Sequence, residues 1–144
     1  SLTPVLSDIV IDSSVWIASL NPSDVFHRRS CDYLGKVFSH RLDVILPTLV
    51  LLETSHVLEQ RADFDFKRLK QFNEGIYRSG HIRVLDLDGV FVGQCLKNPF
   101  KSGSLKTSDW IVAMTAYLNR AKLITWDKGL IKHTQPVLVS KTPD

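Results

Sequence analysis

Short apolar runs, each followed at once by polar residues that open a helix or a turn, restrict the fold of this chain more than any other feature. Ile9 to Ile11 is followed by Asp12, Ser13 and Ser14, and Val44 to Leu46 by Pro47 and Thr48. Ile82 to Leu87 holds Asp86 and is followed by Asp88, and Leu123 to Trp126 meets Asp127, Lys128 and Gly129. Runs this short and this rich in branched residues predict buried strands rather than helices. A fifth strand is expected at Val137 to Val139. The longer segments between them carry helical spacing. One starts directly after Asp12; a second is capped by Ser23 and presents Phe26, Leu34, Val37 and Phe38; a third is capped by Thr48 and reaches Gln60. Asp65 to Arg78 presents Phe66, Leu69, Phe72 and Ile76 before Gly80 ends it. Asp86 or Asp88 caps a short helix over Val90 to Leu96, and Thr107 or Ser108 starts one through about Arg120. Strands alternating with helices predict an α/β fold, a three-layer α/β/α sandwich around a mainly parallel sheet. At 144 residues the whole chain, 1–144, is expected to form a single domain.

Several function classes drop out on composition. No run of about 18 apolar residues exists and no basic-then-apolar leader opens the chain, so a soluble, cytoplasmic protein with no membrane partner is expected. Cys31 and Cys95 form no Cys-x-x-Cys pair, which argues against a zinc knuckle or a disulfide framework and predicts two small buried hydrophobes. The net charge of +3 permits a polyanionic partner without requiring one.

In open parallel sheets ligands gather at the carboxyl ends of strands, which draws attention to Asp12 and Asp127. Each also has a plain explanation: Asp12 as a helix cap, Asp127 as the start of an Asp-Lys-Gly turn. Glu53 shares a helix face with Val50 and Val57, as a carboxylate does when it belongs to a site or when it snorkels from the edge of a core. Asp109 lies in the first turn of its helix, where the dipole favours negative charge, and faces the same way as Val112, Ala113 and Ala116. Taken together, the four would converge on one sheet edge. Four close anions are tolerable only when some are protonated or divalent cations neutralise them, and all-oxygen ligation suits Mg²⁺ or Mn²⁺. Phosphodiester hydrolysis is the chemistry that uses such an arrangement.

Spacing weakens the rivals. A haloacid dehalogenase-like phosphatase needs an acid where Ser14 stands, and an Asp-x-Ser-x-Ser metal site needs a serine where Trp16 stands. Glu53 and His56 form only one of the two Glu-x-x-His pairs of a di-iron bundle, and no Gly-x-Ser-x-Gly turn occurs.

The four motifs, in order, resemble those of the PIN domain ribonucleases. Ile9 to Ile17 resembles the opening strand and first acidic residue, Leu52-Glu53 the helical glutamate, Asp109 to Ala116 the third acidic motif with its Ala-rich face, and Leu123 to Asp127 the strand-end Thr-x-Asp. The resemblance implies a Mg²⁺- or Mn²⁺-dependent endoribonuclease. Asp12, Asp109 and Asp127 would ligate metal, Glu53 would ligate through water or orient the attacking water, and Thr125 would bond that water or a neighbouring carboxylate. It further implies an RNA substrate. The opening Asp-Ser-Ser-Val-Trp is most similar to VapC-type toxins, which implies a homodimer and a small cognate antitoxin. Where many relatives carry another acidic residue after the last aspartate, this chain has Lys128, Gly129 and Leu130. An RNA-processing PIN nuclease without antitoxin and a catalytically silent PIN-fold binding domain remain as alternatives. Lys97, Lys101 and Lys106 lead into Asp109 and form either a solvated loop or a backbone contact for RNA, Lys106 standing closest. Phe100 and Trp126 would stack on bases or, for Trp126 in its apolar strand, pack in the core.

Overall fold

A computed structural model describes residues 8–97 and 103–144. Five strands, β1 (Ile9–Ile11), β2 (Val44–Pro47), β3 (Ile82–Leu85), β4 (Lys122–Ile124) and β5 (Ser140–Lys141), form one sheet in the order β3-β2-β1-β4-β5. Every pairing is parallel. β1 and β2 are buried throughout, because helices cover both sheet faces and leave no polar side for alternation to mark.

The helices are α1 (Ser13–Leu20), α2 (His27–Ser39), α3 (Thr48–Glu59), α4 (Phe66–Arg78), α5 (Gly89–Lys97), α6 (Thr107–Leu118) and α7 (Lys128–Thr134). α1 packs on α2 and α3, and α3 on α4, over a core that includes Val15, Trp16, Leu34, Val37, Val50 and Ile76. The Trp16 indole donates to the Ile11 carbonyl at 3.1 Å, which satisfies its one polar atom inside that core. α6 lies across β1 and β4, and with α5 encloses a second apolar cluster around Phe91, Cys95 and Met114. The expected α/β/α sandwich is the observed fold.

Chain order explains where a site can form. The chain moves outward from β1 through β2 to β3, then returns through α5 and α6 to β4 on the other side of β1. The connections leaving β1 and β4 therefore diverge, and it is at the carboxyl ends of such strands that open parallel sheets gather ligands.

Several local expectations are corrected. α2 begins at His27 rather than after Ser23, because the Asp24 carboxylate accepts the Phe26 N–H at 2.8 Å and holds a turn there. Pro47, not Thr48, sits at the start of α3. Asp88 rather than Asp86 caps α5, accepting the Phe91 N–H at 3.0 Å. β3 stops at Leu85, whose partner Pro47 already turns into α3. The fifth strand is Ser140–Lys141, not Val137 to Val139: a turn on the Thr134 carbonyl leaves Val137 and Val139 exposed, and pairing begins where Ser140 meets Leu123. An edge strand needs backbone partners more than apolar side chains, so hydrophobicity points to the wrong residues. Phe66 and Phe38 are largely exposed, and so is Cys31; only Cys95 is buried, and both thiols are free. None of the helices among the described residues is long and apolar enough to cross a membrane.

Candidate active site

Asp12 follows β1 in the extended conformation of a helix cap, yet its side chain makes no capping bond to α1. Its Oδ2 instead accepts the Thr125 hydroxyl at 2.8 Å, while its own N–H continues the β1–β4 ladder to the Ile124 carbonyl. Helix capping therefore does not explain this buried carboxylate. Asp127 behaves differently. It caps α7, its Oδ1 accepting the Leu130 N–H at 3.0 Å, and its backbone N–H donates to Thr125 Oγ1 at 3.0 Å. Where Asp-Lys-Gly predicts a turn, the structure has α7, and Leu130, Ile131 and Thr134 follow the aspartate at helical spacing. Gly129 stands where a Cβ would come within 3.2 Å of Asp127 Oδ1, so its missing side chain leaves room for the carboxylate.

Glu53 sits half-buried at the border of the α3 core stripe. That stripe is Val50, Leu51, Thr54 and Leu58; Val57, expected on the buried face, is exposed. Asp109 is also half-buried, one turn before the fully buried Val112 and Ala113 of α6. Burial raises the pKa of the Glu53 carboxyl, the negative charges of Asp12 and Asp109 raise it further, and a hydrogen bond from Ser108 pulls it back. Burial likewise raises Asp109, with Asp12 and Asp127 adding to the effect and Lys106 opposing it. Glu53 and Asp109 thus each feel the charge of two other carboxylates of the set. By sequence Ser108 stands out only as an alternative to Thr107 for the start of this helix; its place beside Asp109 in the first turn was the signal for a role at the site.

The sign of these shifts gives a test. A carboxyl with a raised native pKa holds its proton more tightly folded than unfolded, so the stability it contributes is present at low pH and is lost as pH rises through the window between its ordinary range, about pH 4, and the raised value. Denaturant midpoints of wild type and Glu53→Gln, measured without metal, are expected to diverge in favour of the variant as pH climbs through that window. A constant gap would show that Glu53 does not carry this strain.

The remaining expected site residues are placed as follows. Lys106 occupies the cap position of α6 with its charge acting on Asp109. Trp126 is a core residue: its ring stacks on Phe26 at 4.3 Å, and its indole donates to the buried Ser30 hydroxyl at 2.7 Å. Lys101 and Phe100 lie outside the described residues. Gly103 adopts φ +56°, and a Cβ there would come within 2.4 Å of the His133 ring. Gly103→Ala is expected to lower stability by about 1–3 kcal/mol through strain and this clash, readable as a reduced urea midpoint.

Among the described residues, no three His, Cys, Asp or Glu side chains are drawn close enough to enclose a metal ion by themselves. The donor set nevertheless suits a hard divalent cation, since it is all oxygen and the neighbouring carboxylates raise the proton affinity of Glu53 and Asp109, a repulsion that a cation relieves. Mg²⁺ commonly keeps several waters and takes only one or two carboxylates, so an unclosed shell fits that chemistry.

The fold is that of a parallel α/β protein, with Asp12 and Asp127 at the carboxyl ends of the neighbouring strands β1 and β4, where the chain leaves in opposite directions. The model of the PIN domain family matches residues 9–135, and the chain belongs to that family. No curated protein matches the chain. Among solved structures, it is similar to FitAcB from Neisseria gonorrhoeae, with 18% identity, 94% of this chain and 97% of that one covered, and a TM-score of 0.65. It is also similar to VapC20 from Mycobacterium tuberculosis, described as a sarcin-ricin loop cleaving toxin, with 18% identity, coverage of 86% and 93%, and a TM-score of 0.65. VapBC2 from Rickettsia felis, bound to a fragment of its promoter DNA, has 14% identity, coverage of 95% and 99%, and a TM-score of 0.63. At these identities the likeness establishes the fold.

Proposed function

We propose that this chain is a divalent-metal-dependent endoribonuclease and the toxin of a toxin–antitoxin pair. The observation that carries the reading is that Asp12 and Asp127, at the carboxyl ends of β1 and β4, lie close enough to Glu53 of α3 and Asp109 of α6 for their charges to act there: Asp12 raises the proton affinity of both, and Asp127 that of Asp109. A bound Mg²⁺ or Mn²⁺ there would lower the pKa of an attacking water and stabilise charge on the phosphoryl oxygens. Asp12, Asp109 and Asp127 would hold the ion, Asp12 oriented by Thr125. Glu53, with its raised proton affinity, would accept a proton from water or hold that water in line. Lys106 would meet the phosphate backbone beside the cut.

A small antitoxin as partner is supported by solved neighbours that are themselves toxin–antitoxin complexes, including one from Klebsiella pneumoniae. A homodimer is supported by exposed Leu52, Phe66 and Tyr77, which border one groove between α3 and α4. Light scattering is expected to give twice the chain mass at tens of micromolar, and a monomer would remove that part of the reading. The absence of a closed ligand set among the described residues favours one second reading, a catalytically silent binding domain. Incubation of the protein with a mixed RNA pool separates the two. Cleavage that requires Mg²⁺ or Mn²⁺ and stops with chelator supports the nuclease; intact RNA in every condition supports the binder.

A further inference from the structure

By sequence Ser14 is one of the polar residues that open the first helix and stands where a phosphatase would need an acid, yet it bonds to the end of β4 beside both strand-end aspartates. Its Oγ lies 3.3 Å from Thr125 Oγ1 and accepts the Trp126 N–H at 3.2 Å. A threonine hydroxyl has one proton and two lone pairs. Thr125 donates its proton to Asp12 Oδ2 at 2.8 Å, and one lone pair accepts the Asp127 N–H at 3.0 Å. With that proton committed, the contact with Ser14 has one direction: Ser14 donates to Thr125. The Trp126 N–H in turn holds the Ser14 hydroxyl in place.

We propose that Ser14 is a positioning residue that, by donating to Thr125, aims the Thr125 hydroxyl at Asp12 and so holds the Asp12 carboxylate in the orientation it presents to a divalent cation. The inference rests on the metal-dependent reading above. Rotation about the terminal bond of an aspartate is broad and poorly restricted, so a neighbouring hydrogen bond selects its angle. Asp12 makes no cap bond to α1 that would do this. Donation into Thr125 also polarises the Thr125 O–H and strengthens its bond to the carboxylate. A partner bonded directly to a ligand, as Thr125 is to Asp12, commonly governs metal affinity, and Ser14 acts through it.

The test is titration of Mn²⁺ alone, followed by calorimetry, into wild type, Ser14→Ala, Ser14→Thr, Thr125→Val and the double variant Ser14→Ala with Thr125→Val. Thr125→Val is expected to weaken Mn²⁺ binding about 10- to 100-fold, and Ser14→Ala, one hydrogen bond further from the ion, by a smaller but measurable factor. Ser14→Thr, which keeps the hydroxyl, is expected to bind close to wild type. With Thr125→Val already present, Ser14→Ala is expected to change nothing further, because its route to Asp12 is gone. Should the alanine variant fail to fold, Ser14→Cys, with its weak thiol donor, takes its place with the same expected weakening. Wild-type affinity in Ser14→Ala or Ser14→Cys overturns the role of Ser14, and so does an equal loss whether or not Thr125 is present. A wild-type protein that binds no Mn²⁺ overturns the metal-dependent reading itself.

Discussion

Replacing Asp109 by Asn is expected to cut RNA cleavage by orders of magnitude while leaving the metal-free protein at least as stable as wild type. The substitution keeps the size of the side chain and removes one negative charge. Burial and the charges of Asp12 and Asp127 already raise the proton affinity of this carboxyl, so its ionised form is strained in the absence of a cation. Removing the charge relieves that strain, and it removes an anionic ligand from the proposed metal centre. If Asp109 served only the dipole of α6, the outcome would be the reverse: a loss of about 0.3–1 kcal/mol in stability and unchanged cleavage. Thermal melts without metal and cleavage rates at saturating Mn²⁺ read both quantities on the same two proteins. Cleavage at the wild-type rate would remove Asp109 from the centre.

The largest stability effect is expected at Trp126. Trp126→Ala should lower the unfolding free energy by about 3–5 kcal/mol, the range for deleting a buried aromatic side chain. The ring is almost wholly buried, stacks nearly parallel on Phe26, and lies under the Arg29 guanidinium, which also pairs with Asp144. Its removal also leaves the fully buried Ser30 hydroxyl without the indole donor. Trp126→Phe separates the two contributions, since it keeps a ring on Phe26 and loses the indole hydrogen bond. It should cost about 1–3 kcal/mol. Urea unfolding of the three proteins measures the series, and equal midpoints for the alanine and phenylalanine variants would show that stacking on Phe26 contributes nothing. Trp126 lies between Thr125 and Asp127, so the alanine variant should also bind metal less well at temperatures where it remains folded.

Much of the fold was legible because its central strands are buried on both faces. Ile9–Ile11 and Val44–Leu46 had to be apolar throughout, and each runs within a residue or two into a helix start, so strand, helix and parallel arrangement all follow from local composition. The edges were less legible. β5 is held by backbone bonds to β4, a kind of stabilisation that leaves no mark on side-chain type, and the adjacent valines drew the expectation to the wrong place. α7 was hidden because Asp-Lys-Gly serves equally as a turn and as a helix start.

At the site, the sequence by itself determined which carboxylates stand at strand ends and helix starts, because burial and helical period are local properties. It left open whether Asp12 and Asp127 were merely capping. Only the tertiary structure decided that, and it decided the two differently: Asp127 caps α7, whereas Asp12 turns away from α1 to Thr125, a residue 113 positions along the chain. The same holds for Ser14 and Ser108, whose partners lie on other elements. A side chain's choice among hydrogen-bond partners depends on which strands are neighbours. That β1 lies beside β4 is a pairing of segments far apart in the chain, which the residues around Asp12 do not reveal by their type.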